Sequence, residues 1–320
     1  MSRITTPFDA TTTAAEVLRG IDLTGLRVIV TGGAAGIGAA TSAALVGAGA
    51  SVVLAVRRPE QGEQTAGRLR ADVPGASVEV RPLDLADRAS VRAFVAAWTG
   101  PLDVVIGNAG IMATPELRTP EGWELQFATN HLGHHSLVTG LRDALRAGAD
   151  RTGRAARIVA LSSAGHHTAG VDLDDLMFER RPYDPWVAYG QSKTANALFA
   201  VEATRRWAAD GIVANAVHPG GILTDLSRHL SHEQALAIGI VHEDGSPAEG
   251  FKTPEQGAAT SVLVAASPLV EGVGGRYFED CAEAVPASDD RPLVGVRPEA
   301  LDPESAEKLW DASDALLATR

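Results

Sequence analysis

An uncharged stretch from Val28 to Val56 restricts the folds open to this chain more than any other feature of the sequence. It is long enough to cross a bilayer, and an arginine stands on each side of it. It also contains two β-branched runs, residues 28–30 and 52–54, separated by a segment rich in Gly and Ala. Short apolar runs of this kind are typical of buried parallel strands. We therefore predict a strand, a helix and a second strand here, and no membrane span.

The segment between the two runs has the glycines of a dinucleotide-binding turn. They follow Thr31 at positions 32, 36 and 38, just before the predicted helix. Glycine allows a tight turn and lets a pyrophosphate approach the backbone, while the helix offers its free N–H groups to the anion. A strand before the glycines and a helix after them is the context that makes such a motif credible. The sequence therefore predicts a nucleotide site at this turn.

A phenol and an ammonium group four residues apart, Tyr189 and Lys193, form a second candidate site. In a helix, side chains at this spacing lie on the same face. A fixed cation favours the phenolate, and would bring the pKa of a tyrosine, roughly 10, nearer to neutral pH. Only three of the 28 basic residues are lysines, so a lysine here indicates a compact cation that arginine would not replace. Because the pattern also occurs by chance in many helices, a purely structural pair is the alternative.

The composition excludes several classes of protein. The 320 residues allow one large domain or two of ordinary size, and 45% hydrophobic with 21% charged residues indicates a folded chain. The net charge of −12 argues against a nucleic-acid partner, since phosphate binding needs clustered positive charge. The single cysteine, Cys281, cannot form an internal disulfide, and Met1–Asp9 has no apolar signal core. We therefore expect a cytoplasmic protein with neither a nucleic-acid nor a membrane partner.

The pattern Thr31-Gly-x-x-x-Gly-x-Gly38, together with Tyr189-x-x-x-Lys193, resembles the two motifs of the short-chain dehydrogenases/reductases. The resemblance extends over residues 5–318. It implies an α/β single-domain Rossmann fold: a doubly wound, seven-stranded, mostly parallel sheet with helices on both faces. The site would lie at the carboxyl ends of the strands. A sugar-nucleotide epimerase of the extended branch would have two residues between successive glycines, which is not the spacing found here.

Three other strings, residues 131–134, 274–281 and 308–313, resemble the retinol-dehydrogenase-like and WW-domain-oxidoreductase-like branch of this family. The first of them includes His131, which is four residues before His135 and could share a metal ion with it. No Cys or carboxylate is spaced as a third ligand, so we predict no metal site.

The resemblance also divides the chain. We expect one domain over residues 1–320, in which the helix from Trp186 to Asp210 has a long apolar face. This face suits the paired-helix homodimer or homotetramer common in the family, although it could equally be plain core. The predicted parts are an N-terminal lead-in at 1–25, an inserted loop at 166–186, a substrate lid at 225–253 and a C-terminal extension at 279–320.

Four catalytic residues are implied by the resemblance. Tyr189 would be the acid or base, and Lys193 would lower its pKa and hold the nicotinamide ribose. Ser163 would orient the substrate carbonyl, with Ser162 as the alternative, because both hydroxyls follow the fifth predicted strand. Asn130 would hold a water that links the lysine to solvent.

The cofactor is predicted from the end of the second strand. An acidic residue there would accept the ribose hydroxyls of NAD; Val56 cannot do so, whereas Arg57 can pair with the 2′-phosphate of NADP. This favours NADP over NAD, the alternative being that Arg57 and Arg58 are a solvated loop pair. The cofactor-binding residues implied by the resemblance are Gly32, Ala35, Gly36, Ile37, Gly38, Arg57, Asp84, Leu85, Asn108, Ala109, Gly110, Tyr189, Lys193, Pro219, Gly220, Ile222 and Thr224.

For three residues of this set, the resemblance implies a specific role. Asp84 would reach the adenine ring, or else cap the helix predicted to begin near Ser90. Asn108 would brace the sheet beside the cofactor, and Thr224 would bond the carboxamide or a phosphate.

The expected activity is hydride transfer between NADP(H) and a secondary alcohol, ketone or aldehyde, with a lipophilic or ring-containing small molecule as substrate. In the reductive direction Tyr189 protonates the oxygen that Ser163 orients. The alternative is a non-catalytic NADP(H)-binding redox sensor, against which the intact set of Asn130, Ser163, Tyr189 and Lys193 argues. Neither the inserted loop nor the lid identifies the substrate.

Overall fold

Helices and strands alternate along most of the chain. The computed structural model describes residues 3–224, 226, 232–237 and 239–318. The strands are β1 (Arg27–Thr31), β2 (Ser51–Val56), β3 (Val78–Pro82), β4 (Val104–Gly107), β5 (Ala156–Leu161), β6 (Ile212–His218), β7 (Tyr277–Glu279) and β8 (Ala282–Glu283). The helices are α1 (Ala14–Val17), α2 (Gly36–Gly47), α3 (Pro59–Asp72), α4 (Arg88–Ala96), α5 (Leu125–Phe127), α6 (Gly133–Gly140), α7 (Arg142–Thr152), α8 (Pro185–Trp207), α9 (His232–Ala237), α10 (Pro254–Ala266) and α11 (Pro303–Ala318).

The strands of the described residues form one sheet in the order β3-β2-β1-β4-β5-β6-β7-β8. Strands β1 to β7 are parallel, and the chain changes direction across the sheet between β1 and β4. This confirms the doubly wound fold, and it creates a crevice at the carboxyl ends of β1 and β4 where such folds bind ligands.

The predicted number of strands, seven, is wrong by one. The eighth strand, β8, has two residues and pairs with β7 in the antiparallel direction. Asp280 and Cys281, with φ angles of 48° and 60°, form the tight turn between the two strands. A two-residue strand carries no periodic pattern, so the sequence could not reveal it.

The uncharged stretch is explained by burial on both faces of the sheet. Val28 and Val30 point into a cluster with α2 and α10, whereas Ile29 points into a cluster with α6 and α8. Because both faces are covered by helices, the strand is apolar throughout and not alternating. No helix in the described part of the chain has the length and apolar character needed to cross a membrane.

The C-terminal helix α11 packs against α8 of the same chain. The Trp310 ring stacks on Phe199 with ring centroids 5.5 Å apart, and Arg206 donates to Asp311 at 3.0 Å. A third hydrophobic cluster, which includes Leu198 and Leu309, continues this contact. The apolar face of α8 is therefore core in this region, which is the second of the two interpretations given above; the homodimer or homotetramer stays a prediction.

The inserted loop, residues 166–186, contributes to the same third cluster. Leu176 and Met177 are buried beside Trp123. Asp175 accepts hydrogen bonds from the backbone N–H groups of residues 179, 180 and 181, which fixes the following turn. The middle of the loop thus belongs to the core. Of the predicted lid, residues 225, 227–231 and 238 lie outside the described residues.

Candidate active site

Tyr189 and Lys193 lie one turn apart on α8, as their spacing predicts. Asp184 caps this helix by accepting from the N–H groups of Trp186 and Val187. Both site residues are 4% exposed. The Lys193 ammonium is 5.6 Å from the centroid of the phenol ring, and it donates to the backbone oxygen of Leu161 at 3.0 Å.

Burial decides the protonation of both groups. It raises the pKa of Tyr189 to about 12, although the Ser163 hydroxyl acts in the opposite direction, and it lowers the pKa of Lys193 to about 8. Burial therefore has the largest effect on the pKa of Tyr189, and the predicted lowering of that pKa by Lys193 stays a prediction. At neutral pH the phenol is neutral and can act as a proton donor.

The two serines after β5 have different environments. Ser162 is buried, and its hydroxyl donates to the backbone oxygen of Lys193 at 2.8 Å. The Ser163 hydroxyl lies beside the Tyr189 phenol and accepts from the N–H of Gly165 at 3.0 Å. Of the two hydroxyls, that of Ser163 is therefore in position to share a substrate oxygen with Tyr189.

Gly165 is the residue that makes room for the phenol ring. A Cβ added there would lie 2.6 Å from Cε1 and 2.8 Å from Cδ1 of Tyr189. We expect Gly165→Ala to displace the ring and lower kcat by about a hundredfold, the loss associated with misplacing a reacting group by roughly 1 Å. Gly170→Ala is the matched control, because no atom lies within 4 Å of its added Cβ. A Gly165→Ala enzyme with unchanged kcat would show that the ring position is not critical.

Asn130 lies in an irregular part of its helix. Glu124 caps this helix by accepting from the N–H groups of Gln126 and Phe127. A π-helical turn, Ala128–Leu132, then separates α5 from α6. Residues 125–140 are thus helical without a break, with the π-helical turn inside. Single π-turns inside helices are frequent at functional sites.

The Asn130 side chain fixes the loop after β4. Its Oδ1 accepts from the N–H of Ile111 at 2.9 Å, and its Nδ2 donates to the Ile111 oxygen at 3.0 Å and the Ser192 hydroxyl at 2.9 Å. A Cβ added at Gly110 would lie 3.1 Å from Asn130 Oδ1 and 3.5 Å from Lys193 Nζ. The backbone at Gly110 therefore lies between the amide and the ammonium.

The glycine-rich turn has the form of an anion site. Gly32 and Gly36 have φ angles of 64° and 49°, and a Cβ at Gly38 would lie 2.3 Å from the Gly32 oxygen. Ala35, the residue before α2, gives no side-chain cap, and the first turn contains no acidic residue. The N–H groups at the start of α2 are thus available to a phosphate, so these residues fit a bound dinucleotide.

Asn108 and Ala109 close this turn from β4. Asn108 Nδ2 donates to the backbone oxygen of Thr31 at 2.8 Å, and the N–H of Ala109 donates to the Thr31 hydroxyl at 3.0 Å. Thr224 closes it from β6, since its Cγ2 would lie 3.2 Å from a Cβ at Gly36. The carboxyl ends of three strands therefore meet at the glycine-rich turn.

The other predicted cofactor residues border the same edge. Val56 is buried at the end of β2, and Arg57 after it is exposed. The Asp84 carboxylate accepts from the N–H of Ala86 at 3.0 Å, while Asp87 caps α4. The alternative in which Asp84 caps this helix is therefore wrong. Of the remaining members, Ile37 is in the first turn of α2 near Ile222, and Leu85, Pro219 and Gly220 lie in loops.

Three residues of this region make contacts that the sequence did not predict. Gly165 makes room for the phenol, Thr31 binds the N–H of Ala109, and His134 contacts Thr31. In the sequence, Thr31 stands in the glycine motif and His134 in the string at 131–134, but neither pattern indicated these contacts.

Comparison with known proteins agrees with this geometry. The sequence profile of the short chain dehydrogenase family matches residues 27–235. A Streptomyces antibioticus protein named Probable oxidoreductase is 54% identical over 93% of this chain and 100% of its own length. Human retinol dehydrogenase 14 is 38% identical over 92% of this chain and 86% of its own length. A crystal structure of an uncharacterised protein from Mycobacterium paratuberculosis has a TM-score of 0.72 at 32% identity and covers 97% of this chain and 98% of its own.

These matches define the class of protein. The chain belongs to the short-chain dehydrogenase/reductase family, an oxidoreductase family that binds a nicotinamide cofactor. Within it, the chain belongs to the retinol-dehydrogenase-like branch, which also includes the zebrafish (Danio rerio) WW domain-containing oxidoreductase, 35% identical over 98% of this chain and 73% of that protein. The resemblance inferred from the motifs is confirmed.

Proposed function

We propose that this protein reduces a small-molecule carbonyl compound with NADPH, and that Tyr189 donates the proton. The observation that carries the proposal is the geometry of the buried Tyr189 phenol, which lies beside the Ser163 hydroxyl and one helical turn from Lys193. A neutral phenol can give its proton to the carbonyl oxygen as that carbonyl is reduced.

In this proposal, some residues bind the cofactor or the substrate, and Tyr189 transfers the proton. When bound, the nicotinamide cofactor supplies or accepts the hydride. The N–H groups at the start of α2 would hold its phosphates. Ser163 would hold the substrate oxygen within reach of Tyr189, and Lys193 would hold the ribose from the same face of α8. Asn130 would keep the backbone at Gly110 and Ile111 in place.

A lipophilic or ring-containing substrate is supported by one aromatic side chain beside the phenol and by apolar side chains on the loops after β6. Trp186 is half-buried and meets the Tyr189 ring edge-on, with centroids 6.5 Å apart. Phe251 lies 3.4 Å from a Cβ added at Gly221, and Leu223 is 36% exposed. Apolar side chains around a few polar groups are typical of sites for lipophilic ligands.

The test is turnover of NADPH and NADH by the purified protein with aliphatic, aromatic, steroid-like and retinoid carbonyls. We expect NADPH oxidation with at least one lipophilic carbonyl. Tight NADPH binding without any turnover would instead favour the redox-sensor alternative, and failure to bind either nucleotide would overturn the proposal.

NADP preference is supported by the exposed Arg57 after the buried Val56. The Pseudomonas aeruginosa protein RhlG, whose active-site complex contains NADP, has a TM-score of 0.62 and 25% identity over 81% of this chain and 96% of its own. We expect Arg57→Ala to raise the Kd of NADPH by about ten- to a hundredfold, the range for one charged hydrogen bond. The Kd of NADH should change less than about twofold, because NADH lacks the 2′-phosphate.

The matched control for this prediction is Arg58→Ala, since Arg58 is also exposed and is the residue just before α3. Both variants are measured by quenching of tryptophan fluorescence on addition of nucleotide. An equal loss of affinity for NADPH and NADH in Arg57→Ala would contradict a contact with the 2′-phosphate.

A further inference from the structure

His134 joins the glycine-rich turn to the π-helical turn that carries Asn130. The side chain lies on α6 and is only 7% exposed as a residue. Its Nδ1 is 2.9 Å from the backbone oxygen of Asn130, and its Nε2 is 2.8 Å from the Thr31 hydroxyl. Both ring nitrogens therefore have partners, one at each of the two turns.

The partners determine which nitrogen carries the proton. A backbone oxygen only accepts, so Nδ1 is the N–H that donates to Asn130, and Nε2 accepts from Thr31. Thr31 has Nε2 as its nearer acceptor, at 2.8 Å against 3.4 Å for the Ile106 oxygen, and it accepts from the N–H of Ala109. Burial lowers the pKa of His134 to about 4, and the charge of Lys193 acts in the same direction, so the ring stays neutral.

The connection continues from Asn130 to the catalytic helix. The Asn130 amide donates to the Ser192 hydroxyl at 2.9 Å, and Ser192 donates to the backbone oxygen of Tyr189 at 2.7 Å. The ring of His134 fits because residue 107 is glycine, whose added Cβ would lie 3.1 Å from the His134 Cδ2. Hydrogen bonds to the backbone and to the side chain of Asn130 thus connect the glycine-rich turn to α8.

This series of bonds is not a route for protons to solvent. Beyond Thr31 it ends at the backbone N–H of Ala109, which donates a hydrogen bond but does not ionise at neutral pH. Its effect is therefore on position. Loss of the ring nitrogens would leave the Thr31 hydroxyl and the Asn130 oxygen without these buried partners.

We propose that His134 is a positioning residue that couples nucleotide binding at the glycine-rich turn to the placement of Asn130 and Tyr189. The inference rests on the proposed function, since it concerns the nucleotide of that site. It predicts that a change at position 134 alters affinity for the dinucleotide although His134 lies beneath the turn and not on the exposed edge of the sheet.

The test uses His134→Phe, which keeps a ring and removes both nitrogens. We expect the Kd of NADPH, measured by fluorescence quenching, to rise by about tenfold, the effect of one to two buried hydrogen bonds. The KM for NADPH should rise with it, whereas the KM for the carbonyl substrate should stay unchanged.

The matched control is His131→Phe. His131 is a buried histidine in the π-helical turn that carries Asn130, but its Nε2 contacts the Ser313 hydroxyl of α11, at 2.9 Å. This variant should lower Tm and leave the Kd of NADPH at the wild-type value. His134→Asn, whose amide nitrogen takes the place of Nδ1, should recover part of the lost affinity and remains usable if His134→Phe fails to fold.

A second arm uses Thr31→Val alone and combined with His134→Phe. Since the two residues act through one hydrogen bond, their effects on the Kd of NADPH should be less than additive. Wild-type affinity in His134→Phe, or full additivity of the pair, would overturn the inference. A wild-type protein that binds neither nucleotide would instead overturn the proposed function.

Discussion

Tyr189→Phe should lower kcat for carbonyl reduction by about a thousandfold, the middle of the range for a positioned general acid. The phenol is the proton donor in the proposed reaction, and phenylalanine has no hydroxyl to replace it. The ring should stay in place, because it lies in the space that Gly165 leaves and faces the Trp186 ring edge-on. The Kd of NADPH is therefore expected to stay within about twofold of the wild-type value, since the hydroxyl is not what holds the phosphates.

Tyr183→Phe is the matched control for this prediction. Tyr183 lies in the loop before α8, and its hydroxyl donates to the backbone oxygen of Thr114 at 3.0 Å. Its removal should lower the free energy of unfolding by about 1 kcal/mol and leave kcat unchanged. Turnover of Tyr189→Phe at the wild-type rate would assign the proton to another group.

Trp310→Ala should lower the free energy of unfolding by about 3–5 kcal/mol, the usual range for removing a large buried aromatic side chain. Trp310 is 4% exposed, stacks on Phe199 and meets Trp207 edge-on at 5.1 Å. It is the main ring through which α11 contacts α8. Urea unfolding followed by circular dichroism would measure the change.

A matched pair of variants separates the ring stack from other effects. Trp310→Phe keeps an aromatic ring against Phe199 and should recover more than half of the stability lost in Trp310→Ala. Leu293→Ala, at a side chain that is 57% exposed, should change the free energy of unfolding by less than about 0.5 kcal/mol. A loss below about 1 kcal/mol in Trp310→Ala would contradict the packing of α11 on α8.

The glycine motif with its flanking strands and the Tyr189–Lys193 pair were enough to predict much of the fold and the central residues of the site. The runs at 28–30 and 52–54 form adjacent parallel strands, since β-branched residues that are apolar throughout are stable only when both faces are covered. The glycines after Thr31 form the uncapped turn at the start of α2. Tyr189 and Lys193 share a helix face because their spacing is local, and local spacing can be read directly from the sequence.

Only the tertiary structure decided what surrounds these residues. The direction of the pKa shift of Tyr189 depends on burial by distant segments, and spacing from Lys193 carries no information on burial. The different environments of the Ser162 and Ser163 hydroxyls likewise depend on the groups that the fold brings to them. His134 meets Thr31 across 103 positions of the chain. A contact over that distance is set by how the sheet and helices pack, and no local pattern in the sequence encodes it.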